Sequence, residues 1–248
     1  NIPNNYYPSH STNWTSPSIS IHDRNPSFKT SLTHGAAYTR IDWNKIIDTN
    51  KLINLSQNMG IKTEIDSSLS FHSFRGLSIK LYEVTAAYNS FNNRSQFIEP
   101  RTINCITDKN GMVLQKFTQQ SHQVFDEDIG FQLLGIMEET VNKGISRRLR
   151  WKYKLKGVVA GQTGTTNNRS SGWFLGMIPQ LTVGIWVGGK EPEVRFRSTR
   201  YGQGANMALP IFGEFITAVY ADSTTNISPQ TSFGIPDYIY EQLDCRTD

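Results

Sequence analysis

The runs Gly157-Val158-Val159-Ala160-Gly161-Gln162-Thr163-Gly164-Thr165, Gly172-Trp173-Phe174-Leu175-Gly176-Met177-Ile178 and Leu181-Thr182-Val183-Gly184-Ile185-Trp186-Val187-Gly188 decide the fold. Each is short, apolar and punctuated by glycine, which suits a strand. Pro179-Gln180 separates the second run from the third, and such a break predicts a tight antiparallel hairpin. Apolar strands need a covering layer, and the flanking sequence supplies amphipathic helices.

Downstream, a helix is predicted over 206–222, with Pro210 near its first turn and Ile211, Phe215 and Val219 on one face. Upstream, Leu77, Leu81, Val84, Tyr88 and Phe91 recur at helical spacing after the capping candidate Ser78, which predicts a helix over 78–92. A further helix is predicted over 126–143, with Ile129, Leu133, Ile136, Thr140 and Val141 on one side and Gly144 as its stop. A short one begins near Asp48, with Leu52, Leu55 and Met59 sharing a face before Gly60. Between these, Asp108-Lys109-Asn110-Gly111 separates two apolar runs within 98–117 and predicts a β-hairpin. The stretch 148–156 alternates Arg148, Arg150, Lys152, Lys154 and Lys156 with Leu149, Trp151, Tyr153 and Leu155, the period of a strand with a cationic face. Such a face either grips an anionic polymer or acidic partner, or is the solvated side of an edge strand.

These elements describe an α+β fold, an antiparallel β-sheet covered by helices. The organisation read from the chain is an irregular lead-in over 1–30, one domain over 31–222 and an irregular C-terminal tail over 223–248. A chain of 248 residues buries roughly 70 to 75% of its unfolded surface. The net charge of +4 at pH 7 and the pI near 9.0 favour anionic surroundings, or simple solubility. Nucleic-acid binding is disfavoured, because the aromatic residues of 148–156 alternate away from its charges and cannot stack beside them. Five histidines form no metal-ligand motif, and Cys105 and Cys245 have no metal spacing, so the sequence indicates no metal and no cofactor. Whether the two cysteines pair is left open.

The stretch Gly161-Gln162-Thr163-Gly164-Thr165-Thr166-Asn167, followed by Gly172-Trp173-Phe174-Leu175-Gly176 and Gly184-Ile185-Trp186-Val187-Gly188, is similar to the Lys-Thr-Gly strand and following hairpin of class A, bifunctional penicillin-binding proteins. Further matches follow in order: Ala86-Ala87-Tyr88-Asn89-Ser90-Phe91, Ile98-Glu99-Pro100, Asp108-Lys109-Asn110-Gly111 and Gly202-Gln203-Gly204-Ala205-Asn206-Met207-Ala208-Leu209-Pro210. The resemblance implies the C-terminal part of a penicillin-binding, β-lactamase-like transpeptidase fold, incomplete on its N-terminal side. It also implies an envelope setting on the periplasmic side, with peptidoglycan or envelope proteins as partners and a membrane anchor only if one lies upstream.

In that family a Ser-x-x-Lys serine attacks a D-alanyl peptide or β-lactam carbonyl, with the lysine assisting proton removal. A Ser-x-Asn serine relays protons, and the Lys-Thr-Gly strand holds substrate and contributes an oxyanion-hole N–H. Here no Ser-x-x-Lys occurs in the 248 residues. Ser31-Leu32-Thr33 is the best match to Ser-x-Asn, which makes Ser31 the catalytic candidate and places Thr33 where asparagine stands; an ordinary loop or cap serine is the competing reading of Ser31. Gln162 replaces the strand lysine, while Thr163, Gly164 and Thr165 keep the pattern. Charge-assisted hydrogen bonds contribute about 1.5–3 kcal/mol against about 1 for neutral ones, so carboxylate binding falls by at least about tenfold. Three readings follow: a degenerate transpeptidase-like domain (a pseudoenzyme) acting as a structural or interaction module, an active D,D-transpeptidase whose Ser-x-x-Lys lies upstream, and, least favoured, a basic nucleic-acid-binding protein.

Overall fold

The chain is described here by a computed structural model, which covers residues 48–65, 77–166, 168–191 and 193–244. Ser31, Thr33, Cys245 and the lead-in 1–30 lie outside the described residues. Asp48 starts α1 (Thr49–Asn58) by accepting hydrogen bonds from the N–H groups of Asn50 at 2.9 Å and Lys51 at 3.4 Å. Gly60, at φ +82°, turns the chain out of it. α2 (Leu81–Asn92) begins without a side-chain cap, since Lys80, not Ser78, occupies the capping position. In its first turn the buried Glu83 accepts hydrogen bonds from Thr63 Oγ1 at 3.1 Å and Lys62 N–H at 3.3 Å, tying the loop after α1 to α2.

β1 (Gln96–Ile98), β2 (Cys105–Thr107), β3 (Val113–Lys116) and β4 (Ser121–Gln123) form two antiparallel ladders, β1 with β4 and β2 with β3. The predicted hairpin is the second of these. Asp108 closes its turn by accepting from Asn110 N–H at 2.8 Å and Met112 N–H at 2.9 Å. Cys105 is an exposed free thiol on β2.

α3 (Glu127–Asn142) forms where a helix is predicted, but with a different face inward. Phe131, Leu134, Met137 and Val141 are buried, whereas Ile129, Leu133 and Ile136 are exposed. Gly130 and Gly135 lie on the buried side, where small residues let the backbone come close, and that outweighs the larger side chains opposite. The stretch 148–156 is not a strand. Arg148–Trp151 forms one helical turn, α4, and Lys154 has φ +55°, which a strand does not tolerate. Arg148 Nη1 donates to Ala205 O at 3.0 Å and Asn206 Oδ1 at 2.7 Å. Arg150 donates to Asn142 Oδ1 at 3.0 Å, Leu155 O at 3.0 Å and Gly157 O at 2.7 Å. Two of the supposed surface cations are thus structural ties between backbone segments, with Leu149 and Leu155 buried beside them.

β5 (Ala160–Thr165), β6 (Ser171–Ile178) and β7 (Leu181–Gly188) form one antiparallel sheet in that order, as the three apolar runs predict. After α5 (Thr199–Gly202) comes α6 (Gly204–Ala221), which packs on β6 and β7, while α2 packs on β7 and α3 on β5. The alternation of β6 divides the core. Phe174 and Ile178 join Leu209, Phe212 and Ile216 of α6, and Met177 joins Phe131, Leu134 and Met137 of α3. The inward face of α6 is Ala205, Ala208, Leu209, Phe212, Gly213 and Ile216, so the predicted Ile211 and Phe215 face outward. As in α3, small residues shape the inward face: Gly204 lets the helix start approach Gly164 and Trp173 of the sheet, and Gly213 makes room for the Tyr153 ring.

The segment over 223–248 is not wholly irregular. α7 (Asp237–Leu243) forms within it, burying Ile239 against α3. Tyr238 Oη donates to Asp128 Oδ1 at 2.6 Å and Tyr240 Oη to Glu138 Oε2 at 3.0 Å. All described residues belong to one compact unit spanning 42–248. Among them no helix is long and apolar enough to cross a membrane.

Two outcomes test this arrangement. Phe212→Ala, at a fully buried site, is expected to cost about 3–5 kcal/mol, and Ile211→Ala, 49% exposed, under about 1 kcal/mol, read from urea unfolding midpoints. Burial and the neighbouring Glu138 charge raise the Tyr240 pKa above the ordinary 10.0. Below that value its contribution to stability is fully present, and it is lost as pH rises toward the folded-state pKa. Unfolding midpoints of the wild type should therefore fall above about pH 10, and less steeply in Tyr240→Phe.

Candidate active-site strand

β5 is an outer strand of the sheet, paired on one side with β6 and with no other described strand. Its register sets Gln162 opposite Leu175, Thr163 opposite Phe174, Gly164 opposite Trp173 and Thr165 opposite Gly172. Side chains opposite one another share a face, so Thr163 and Thr165 point toward the α6 side and Gln162 toward the other. Gln162 is exposed, and its Nε2 donates only to the carbonyl of Thr163, at 3.2 Å. The inner end of the strand is held by α3, where Thr140 Oγ1 donates to Gly161 O.

The outer end is held by α6. Gly204 N–H, at the helix start, donates to Thr165 Oγ1 at 3.0 Å. A Cβ on Gly204 would lie 2.4 Å from Gly164 O and 2.5 Å from Trp173 O, so only glycine permits this approach. The two motifs that carry the sequence resemblance, Gly161 to Thr165 and Gly202 to Ala205, thus meet in space. Beyond Thr165 the connection to β6 is tight: Thr166 N–H donates to Ser171 O at 3.1 Å, and Arg169 N–H to Thr166 O at 2.9 Å.

Gln162, Thr163, Gly164 and Thr165 therefore form one continuous, partly exposed ribbon. Ser31 and Thr33, the other candidate site residues, lie outside the described residues. One feature escaped the sequence reading. An open cleft of about 780 Å³ lies between α2, the β7 side of the sheet and the β1–β3 region, lined among others by Thr85, Asn89, Arg101, Gln119 and Thr182. Two of its lining residues are bonded to each other, Thr182 Oγ1 donating to Asn89 Oδ1 at 2.9 Å, and Asn92 Nδ2, outside the lining, donates to Thr182 Oγ1 at 3.1 Å. The only advance signal was the asparagine-rich run at 89–93.

No protein-family model matches the chain. The penicillin-binding protein 1A of Rickettsia typhi is 26% identical over 213 residues, covering 76% of this chain and 26% of that protein. This chain is similar to class A penicillin-binding proteins. It spans about a quarter of the length of that relative. Among solved structures, penicillin-binding protein 1A from Haemophilus influenzae superposes with a TM-score of 0.63 at 17% identity, covering 75% of this chain and 32% of that one. The D,D-transpeptidase domain of a peptidoglycan glycosyltransferase from Eggerthella lenta gives 0.52 at 15% identity, over 73% of this chain and 50% of that one. At those identities the likeness establishes the fold, that of penicillin-binding-protein transpeptidase domains, and the strand read as the Lys-Thr-Gly counterpart lies in the sheet of that fold.

The Thr165 to Gly204 bond gives a test of the strand. Thr165→Val leaves a helix-start N–H without its partner and should cost about 1–3 kcal/mol, while Thr165→Ser restores most of it, as measured by thermal melting.

Proposed function

We propose that this chain is a degenerate transpeptidase-like module serving peptidoglycan assembly at the cell envelope, on the periplasmic side, where it acts through shape and surface. Peptidoglycan or an envelope protein is its partner, and nucleic acid is not. The observation that carries this reading is Gln162. It occupies the exposed position of β5 at which the family pattern has lysine, within a strand whose Thr163, Gly164 and Thr165 remain in register. An amide there donates a neutral hydrogen bond in place of a charged one, and the 248 residues hold no Ser-x-x-Lys to form an acyl-enzyme.

The intact geometry of the same strand supports a second reading, in which β5 serves an active D,D-transpeptidase whose Ser-x-x-Lys is supplied from upstream. In that case Ser31 is the proton-relay serine and Thr33 its substrate-binding neighbour.

The presence or absence of a Ser-x-x-Lys in the sequence upstream separates the two readings, and incubation with a fluorescent penicillin followed by intact-mass spectrometry tests whether these 248 residues hold a nucleophile of their own. No adduct is expected, and Gln162→Lys alone should not create one, because the missing nucleophile is the larger defect. A gain of one drug mass that disappears on replacing a particular serine, Ser31 included, would overturn the degenerate reading. Co-sedimentation with purified peptidoglycan sacculi tests the partner: retention in the pellet is expected, and its absence sinks peptidoglycan as the ligand.

A further inference from the structure

Residues 193–201 lie between β7 and the end of α5, beside the start of β6. Arg195, Arg197 and Arg200 in this segment are exposed. So are Val194 at 62%, Phe196 at 45% and Tyr201 at 60%. The segment is anchored from below: Phe196 N–H donates to Arg169 O at 3.3 Å, Asn206 Nδ2 donates to Arg200 O, and Gly202 leaves room for the Arg169 and Phe196 side chains to meet above it. The Arg200 guanidinium lies 5.7 Å from the Tyr201 ring centre.

Two features of this face are unsatisfied. None of its arginines forms an ion pair with a described carboxylate, although Glu191 and Glu193 are neighbours in sequence. At the same time three large apolar side chains stand in water among the charges. A hydrophilic polyanion would engage the guanidiniums and leave Val194 and Phe196 uncovered. An apolar protein groove would cover Val194 and Phe196 and strand the guanidiniums. Only a surface that is anionic outside and apolar beneath answers both.

We infer that residues 193–201, backed by Arg169, form a peripheral docking face for an anionic phospholipid bilayer. Headgroup phosphates accept from Arg195, Arg197 and Arg200, and Val194 and Phe196 enter the boundary between headgroups and acyl chains. This inference stands apart from the proposed function, since it uses neither β5 nor the family pattern.

Co-sedimentation of the full chain with vesicles tests it. The chain is expected to pellet with phosphatidylcholine–phosphatidylglycerol vesicles, to stay in solution with phosphatidylcholine alone, and to release as salt rises. Each arginine removed should lower partitioning by roughly fivefold, so Arg195→Ala/Arg197→Ala/Arg200→Ala falls by about two orders of magnitude. Val194→Ser/Phe196→Ser changes only exposed side chains, keeps every charge, and should weaken binding while its melting temperature stays that of the wild type. Equal binding to neutral vesicles, or an unchanged partition in the arginine variant, would overturn the proposal. Undiminished binding by the Val194/Phe196 variant would overturn it too, as would a loss of sacculus retention in the arginine variant as large as its loss of vesicle binding, because either result makes the face a site for a hydrophilic polyanion.

Discussion

Phe212 reaches Phe174 because Gly176 has no side chain. A Cβ on Gly176 would lie 2.3 Å from the Phe212 ring, whereas the two rings now meet edge to face with centres 5.0 Å apart. Aromatic pairs of this geometry contribute about 0.5–1.5 kcal/mol beyond the area they bury. The larger effect is positional. With Phe212 seated, the axis of α6 is fixed against β6, its first residue Gly204 falls beside Thr165, and the outer end of the candidate strand acquires its one side-chain tether to the helix. The same seating brings Ala205 and Asn206 within reach of Arg148, which joins α4 to the assembly.

The sheet was legible because period, glycine and turn chemistry agreed. Pro179-Gln180 broke the second run from the third; those two runs paired in full register, and the first paired from Ala160 onward, with Gly157 to Val159 outside the ladder. The helices were legible in extent but not in orientation. In α3 and α6 two apolar stripes compete, one of large residues and one interleaved with glycine and alanine, and the spacing of hydrophobic residues marks both without choosing. Close approach of neighbouring groups chooses the second: Gly130 lies against Ser95 and Gly135 against Leu243 in one helix, and Gly204 lies against Gly164 and Trp173 and Gly213 against Tyr153 in the other. The stretch 148–156 misled for a related reason. Alternation of charge and bulk satisfied the strand pattern, while the hydrogen-bonding needs of the carbonyls of Leu155, Gly157 and Ala205, invisible in a one-dimensional pattern, claimed Arg148 and Arg150.

Of the candidate site, the ribbon from Gln162 to Thr165 was readable from its motif, and its position on an outer strand follows from the hairpin that succeeds it. What the motif did not disclose is that Gly202 to Ala205, more than 35 residues later in the chain, closes onto it through the bond from Gly204 N–H to Thr165. A contact of backbone with hydroxyl leaves no compositional trace except the glycine that permits it. The arrangement separates two properties that usually travel together. Strand geometry, set by pairing and by α6, is retained with an uncharged side chain at Gln162, so shape here does not depend on the electrostatics the family pattern would supply.

The docking of α7 has a consequence for how the chain comes into being. Ile235 and Ile239 complete the cluster of Phe131, Leu134, Met137, Ala160 and Met177, so this second core is finished by residues near the end of the sequence. During synthesis Ala160 and Met177 can cover part of the apolar side of α3 early, but the part that meets Ile235 and Ile239 waits for about 90 residues to be made, at roughly 5–20 residues per second. Contacts of such separation slow the closing step of folding. In the interval an uncovered face carrying Leu134 and Met137 is the surface on which a chaperone, or a second nascent chain, would act first.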